Sequence, residues 1–532
     1  MRLIAFVLVF WATGLCAQED FFSAVVDPDT TAERTNDSLS LFGLNIRAEE
    51  IMRHVYHLAS DSLEGRELGS VGNARAGDYI ARHFADRGLE TLPGLDSGYF
   101  QGVRLRWMYW DKLQMKISGV AYKQLWDYLS IPSENADLDL RTSEVVFLGY
   151  GIDDQRYSDY RGVDVRDKVI LIYKGEPRNK SGRYWITGTD SSSAWSVDLS
   201  RKVEAARSRG VRLVLVIEDR FKHFVDEKRS LVISPQVFLG AEDTESIRGT
   251  NVAYLSSTTT AMLLGKSQRK VIAKRKKINR SGKPQHHVFA VEFEVQQKLR
   301  IRKESGRNVI GIVRGQLYPD EAVVLSAHYD HIGMRGKEVF NGADDNASGT
   351  ASLMEIAGTV AEMAEKGVRP KRTLVFALMT GEEKGLLGSL YYVHNPLVPL
   401  NKTMANVNVD MIGRTDDKYG TDTQYVYVIG SDRISPDLHA LNLDINQRYS
   451  RLRQDHSYNA EAEPNRFYYR SDHYNFAERG VPSIFFFSGV HEDYHRITDD
   501  PEKVRFGKTA LIARHIFYLA WALANRVEPL RR

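Results

Sequence analysis

The sequence predicts an α/β protein, a mostly parallel mixed sheet flanked by helices, with a smaller domain inserted into it. Three observations predict this. Short apolar runs bounded by glycine alternate with segments of helical periodicity, the pattern of strands buried on both faces of a parallel sheet. Four of these runs end at imidazole or carboxylate side chains. Between residues 130 and 280 the texture changes, and strand-like runs end without such side chains.

The four marked runs come late in the chain. Val323-Val324-Leu325 leads into His328-Tyr329-Asp330-His331, and Leu374–Leu378 into Gly381-Glu382-Glu383. Val407-Asn408-Val409 leads into Asp410, and Ile484–Phe487 into a loop holding His491 and His495. Open α/β sheets bind ligands outside the carboxyl ends of their strands, so these ends define the candidate site.

Taken in order, the chain opens on Met1-Arg2, an apolar run from Leu3 to Ala12 and a small-residue exit at Cys16-Ala17. That is the layout of a secretory signal peptide over residues 1–17, cleaved after Ala17, and it predicts export to a periplasm or to the medium. Lipid attachment at Cys16 is the disfavoured alternative, because Leu15 suits it poorly. Cys16 is the single cysteine. The cleaved chain would have neither disulfides nor thiolate ligands, so a metal site must use His, Asp and Glu.

Residues 18–45 read as a linker with little fixed structure. From Ile46 helical faces follow, first Ile51, Val55 and Leu58, then Ala76, Ile80 and Phe84 with Gly88 as C-terminal cap. Leu63–Gly69 is a turn-rich loop between them. Within 130–280, Val145–Gly151, Val169–Tyr173 and Leu213–Ile217 read as strands and Lys202–Arg209 as a helix. This segment is the inserted domain, splitting a larger one into 46–129 and 281–532. His287–Val295 and Asn308–Val313 read as two further strands. Lys508–Ala524 is an amphipathic helix whose Ile512, Ile516, Leu519 and Leu523 face the sheet.

Charge and hydropathy exclude several classes. The chain has 532 residues, enough for two or more domains, with 72 basic against 69 acidic side chains. That near balance points to no polyanionic partner. The basic stretch Lys266–Arg280 lacks interleaved aromatics and reads as a solvated helix face, with no nucleic-acid role. No stretch after the N-terminal run is apolar enough to span a membrane.

The strand ends together offer imidazoles and carboxylates for two metal ions with a shared carboxylate, and one carboxylate to spare for proton transfer. Adjacent Glu382 and Glu383 point in different directions just past a strand, so one can ligate while the other faces the reacting water.

In order and spacing, His328-x-Asp330, Asn341–Gly349, Gly381–Gly385, Asn408–Met411 and Tyr494–Asp499 resemble the five motifs of the co-catalytic zinc aminopeptidase family. That superfamily also contains glutamate carboxypeptidase, glutaminyl cyclase and the transferrin receptor. The inserted segment resembles a protease-associated (PA) domain at Gly149-Tyr150-Gly151, Gly162–Val165 and Asp167-Lys168-Val169. The resemblance implies the zinc exopeptidase fold and two Zn2+ ions per chain. Asp345 would bridge them, with His328 and Asp410 completing one position and Glu383 and His495 the other. Glu382 would be the general base, Asp330 would fix the His328 ring, and Tyr468 would steady the oxyanion. His331, His473 and His491 take the structural reading usual for a lone histidine, Asp344 that of a helix cap, and Asp472 that of a loop tie.

The implied activity is removal of N-terminal residues from peptide substrates. A carboxypeptidase of the same family is the alternative, with Arg414, Arg466 or Arg470 as the pocket cation. A glutaminyl cyclase would use one zinc, and a receptor-like binding protein would lack ligands or base. Oligomeric state and side-chain preference stay open.

Overall fold

The computed structural model describes residues 38–240 and 249–532. The expected signal peptide and Cys16 lie outside the described residues. The expected linker is described only from Ser38, and there it is not loose. Ser38–Gly43 is helical, and Gly43 lies so close under Tyr518 that a Cβ would come within 2.1 Å of its hydroxyl.

The strands that position the site are, in chain order, β1 (Phe100–Ile117), β2 (Leu138–Phe147), β3 (Val169–Tyr173), β4 (Leu213–Ile217), β5 (Asn251–Leu255), β6 (His287–Val313), β7 (Tyr318–His328), β8 (Arg372–Met379), β9 (Thr403–Val409), β10 (Tyr425–Ile429) and β11 (Ser483–Phe487). The main helices are α1 (Ala48–Leu58), α2 (Val71–Asp86), α3 (Gly349–Glu365) and α4 (Phe506–Asn525). The sheet runs β10-β11-β9-β7-β8-β6 and continues from β6 through β2-β3-β4-β5. In the first half β8, β7, β9 and β11 are mutually parallel, so their carboxyl ends share one edge.

Each of these strands divides its side chains by alternation. Val323, Leu325 and Ala327 of β7 and Leu374, Phe376 and Leu378 of β8 pack into one cluster with α1, α2, α3 and α4. Val324, Val375, Ala377 and Met379 pack into another on the opposite face. Apolar side chains on both faces are what made these runs continuous in sequence. The expected helical faces are buried as well: Ile51, Val55, Leu58, Ala76, Ile80, Phe84, Ile512, Ile516, Leu519 and Leu523 are fully enclosed. Gly88 takes a left-handed φ of 72° just past α2, as a C-terminal cap requires.

The second half of the sheet has its own apolar clusters on its two faces. It does not begin at a chain boundary. His287–Val295 and Asn308–Val313, expected as separate strands, are the two ends of the 27-residue β6. Its first part pairs with β2, its last part with β8, and β1 runs antiparallel along most of its length. The polar stretch Lys298–Arg307 stays extended because β1 satisfies backbone groups along it while most of its side chains reach solvent. Among the described residues no helix is long and apolar enough to cross a membrane.

Candidate metal centre

Parallel pairing brings the four marked strand ends together. His328 closes β7 and its Nε2 lies 3.2 Å from Asp410 Oδ1, just past β9, and 3.4 Å from Asp345 Oδ1. Asp345 sits in the turn before α3. Its other oxygen lies 3.2 Å from His495 Nε2, which is 3.3 Å from Glu383 Oε2. Asp345 therefore touches both groups, His328 and Asp410 on one side, Glu383 and His495 on the other. Donors held at zinc's bond lengths around one tetrahedral ion lie about 3.3 Å apart, so the residues fit two ions with Asp345 between them.

The second rank is polar and buried. Asp410 Oδ2 accepts from Ser471 Oγ at 2.8 Å, which accepts from Asn408 Nδ2, whose Oδ1 accepts from Ser326 Oγ at 2.7 Å. A polar seam inside an otherwise apolar sheet thus orients one carboxylate. The Asp499 carboxylate accepts the backbone N–H of Asp344 and of Asp345 at 3.1–3.2 Å and fixes the turn that carries the shared residue.

Asp330 is fully buried, yet its carboxylate stands 3.8 Å from His328 Nδ1 and accepts the Glu382 backbone N–H at 3.2 Å. The direct partner of the His328 ring is the Asp330 carbonyl, at 3.1 Å. Asp330 thereby ties the β7 end to the Glu382-Glu383 turn.

Glu382 Oε2 is 4.0 Å from His328 Nε2. Burial and the negative charges of Asp410, Glu383 and Asp472 push its carboxyl well above the usual range, with His328 opposing them. Burial likewise pushes Asp472 up to about 7, against the pull of His328. Asp472 does tie a loop, accepting from Ser389 Oγ at 2.5 Å.

Several residues stand elsewhere than expected. Tyr468 is not brought to the cleft: its ring lies under the Arg433 guanidinium, 3.9 Å away, and packs against Gly430. Tyr494 is there instead. It lines the cleft beside Glu382 and Asp410, stacks on His495 at 3.8 Å, and its hydroxyl accepts from Arg470 at 3.2 Å. Burial and the Asp345 and Glu383 charges push its phenol up, so it stays a proton donor. Asp344 does not cap α3. It accepts from the Gly413 N–H at 2.5 Å and faces His491 at 3.3 Å, while Asn346 Oδ1 takes the Gly349 N–H at 3.0 Å. His473 keeps its structural role, stacked on Phe485 at 4.7 Å. His331, by contrast, belongs to the cluster, 2.8 Å from Glu383 Oε1.

Arg66 had no signal in the sequence beyond lying in a turn. Its guanidinium, 1% exposed, donates to the carbonyls of Tyr329, Leu58, Asn341 and Gly342. It clamps the two loops that carry His328 and Asp345. Burial pulls it down to about 10 although Asp330, Asp345, Asp499 and Glu383 favour its charge.

Without metal this centre holds protons. Burial disfavours the charged imidazole, but Asp345 and Glu383 beside it push His495 up to about 10 from 6.5, and His328 is raised as well. The folded, metal-free protein therefore binds more protons than the unfolded chain between these values, and its stability falls as pH rises through them. The melting temperature of chelated protein should drop steadily from pH 6.5 towards 10. A flat profile across that window would contradict the charge arrangement. Metal ligation displaces the same protons, so metal affinity should rise with pH.

Residues 308–520 match the sequence profile of Peptidase family M28. Aminopeptidase NAALADL1 of Mus musculus is 37% identical over 123 residues, 23% of this chain and 15% of that protein. Probable glutamate carboxypeptidase VP8 of Zea mays is 36% identical over 121 residues, 23% of this chain and 16% of its own. The chain thus spans only 15–16% of the length of these two curated relatives. The solved aminopeptidase from Aneurinibacillus sp. strain AM-1 aligns with 93% of this chain and 100% of its own, with a TM-score of 0.53 at 17% identity, a likeness of fold. The whole cluster, from His328 to His495, lies inside the segment that matches Peptidase family M28.

Proposed function

We propose that the protein is an exported zinc-dependent aminopeptidase that uses two zinc ions per chain. The observation that carries this is the pair of donor groups sharing Asp345, with Glu382 beside them. His328, Asp345 and Asp410 would hold one zinc, and Asp345, Glu383 and His495 the other. Bound there, zinc supplies an acidified water and a Lewis acid for the scissile carbonyl.

The rest is done by the chain. Glu382 takes the proton from the attacking water and delivers it to the leaving amine, a task suited to a carboxyl raised above its usual range. Asp330 holds the Glu382 backbone in place for that transfer. The Tyr494 hydroxyl, steered by Arg470, donates to the carbonyl oxygen as it gains charge. Met411, Phe467, Phe485, Phe487 and Val490 form an apolar wall of the cleft that receives a substrate side chain.

The choice of substrate end turns on charge. Of the three carboxylates that line the cleft, zinc would engage Asp345 and Asp410, which leaves Glu382 facing the substrate's amino end. Arg414 is spent on Asp493 at 2.9 Å, and Arg466 stacks on Tyr469. Arg470 alone of the three arginines lines the cleft, and it favours the second reading, a carboxypeptidase that pairs it with a terminal carboxylate. Peptides blocked at one end or the other decide this. Aminoacyl amides should be cleaved and N-acetylated dipeptides left intact, and Arg470→Gln should change KM for the amides less than about five-fold, as for an exposed charge. Cleavage of the N-acetylated peptides alone, with KM lost in Arg470→Gln, would establish the carboxypeptidase.

The second half of the sheet is read as the PA-like module. None of the His/Asp/Glu groups that can hold a metal ion lies in it among the described residues, and the roles open to it are gating of substrate access, partner binding and stability.

A further inference from the structure

We propose that His331 is a third imidazole ligand of the centre, joining Asp345, Glu383 and His495 around the same metal ion. The inference rests on the two-metal reading above and goes beyond its ligand set.

The His331 ring is fully buried, and neither of its nitrogens has a hydrogen-bond partner among the described residues. A buried polar nitrogen left unpaired costs about 1–3 kcal/mol, so such a ring calls for a partner. Its Nδ1 faces carboxylate oxygens. Nδ1 lies 2.8 Å from Glu383 Oε1 and 3.8 Å from Asp345 Oδ2. The shorter contact lacks hydrogen-bond geometry, since His331 Nδ1, Glu383 Oε1 and Asp345 Oδ2 all remain without a bonded partner. Donors that crowd together without bonding one another are arranged as ligands of one cation.

The spacing agrees. At zinc's bond lengths two donors lie about 2.9 Å apart at a right angle and about 3.3 Å at a tetrahedral one, and a wider angle gives more. Glu383 meets one imidazole with each oxygen, His331 at Oε1 and His495 at Oε2. The ring is also held in place from behind. The His331 backbone N–H donates to the Arg66 carbonyl at 3.3 Å, and the ring packs where a Cβ on Gly342 would come within 2.5 Å of it. Gly342, at φ 55°, leaves the room that the imidazole fills.

The two metal positions are then unequal. The His331 side has four protein donors, Asp345 included, and the His328 side has three. The four-donor position fills first and empties last.

Cobalt(II) loading tests this. Imidazole N–H protons of histidines bound to Co2+ are strongly shifted in proton NMR and exchange with solvent. Wild-type protein with two Co2+ should show three such resonances, from His328, His331 and His495, and His331→Phe, which keeps an aromatic ring but no ligand nitrogen, should show two. The tighter of the two Co2+ affinities should weaken about ten-fold or more in His331→Phe while the weaker stays unchanged. His331→Gln serves as the second variant should the phenyl ring disturb folding, checked by circular dichroism. Two resonances in the wild type, or an unchanged tight affinity in the variants, would overturn the assignment. A wild type that binds a single Co2+ would instead refute the two-metal reading, and His331 would still be judged by the affinity of that ion in the variants.

Discussion

Asp345→Ala is expected to empty the centre in a single step. Zinc content after dialysis should fall from two per chain to near none, and kcat/KM by at least about 10³-fold. The magnitude follows from the several kcal/mol that metal ions supply to peptide hydrolysis, at about 1.4 kcal/mol per factor of ten. The reason is geometric: Asp345 presents one oxygen 3.4 Å from His328 and the other 3.2 Å from His495. His495→Ala should behave differently, because His495 touches only the Glu383 side. That variant should keep at least one zinc. Equal metal loss in the two variants would contradict the bridging placement.

Glu382→Gln should have the next largest effect and the opposite metal outcome. Both ions stay, KM changes little, and kcat falls by about 10²–10⁴-fold, the range general acid–base catalysis provides. Glutamine keeps the backbone N–H that Asp330 accepts, so the turn carrying Glu383 is preserved. Only the proton carrier is lost. Metal analysis beside kinetics separates this from a damaged site, and full activity in the variant would remove Glu382 from the mechanism.

Much of this was legible in the sequence because strand ends are marked twice, by an apolar run and by the residue that stops it. His328, Asp410 and the Glu382-Glu383 pair each follow such a run directly, and parallel pairing does the rest. Asp345 and His495 lie in turns and were placed by resemblance to motifs. The residues missed share a different property: their partners are distant in sequence. Arg66 reaches carbonyls in segments more than 260 residues away, and nothing local to it indicates that its charge is buried. His331 reads as a lone histidine in the sequence, although it stands three residues from His328 on the loop leaving β7. Tyr494 had a usable signal in its place immediately before His495. Tyr468 stands in a cluster of aromatics, and aromatics pack into cores as readily as they line clefts.

The fold shows the same division. The buried parallel strands are plain in the sequence, whereas β1 is not, although Val103, Leu105 and Trp107 alternate inward along it. Charged residues between them masked the period. In β6 the polar middle divides the sequence pattern into two strands, because its stability comes from pairing with β1 more than from burial.

The most direct test of the account is mass spectrometry of a mixed peptide pool incubated with purified protein, with its zinc and after chelation, beside Glu382→Gln. The account predicts ladders shortened from the N-terminus in the zinc-loaded wild type alone, returning when zinc is restored to the chelated protein. Peptides left intact by a protein verified to hold two zinc ions, or ladders that persist after chelation, would contradict it.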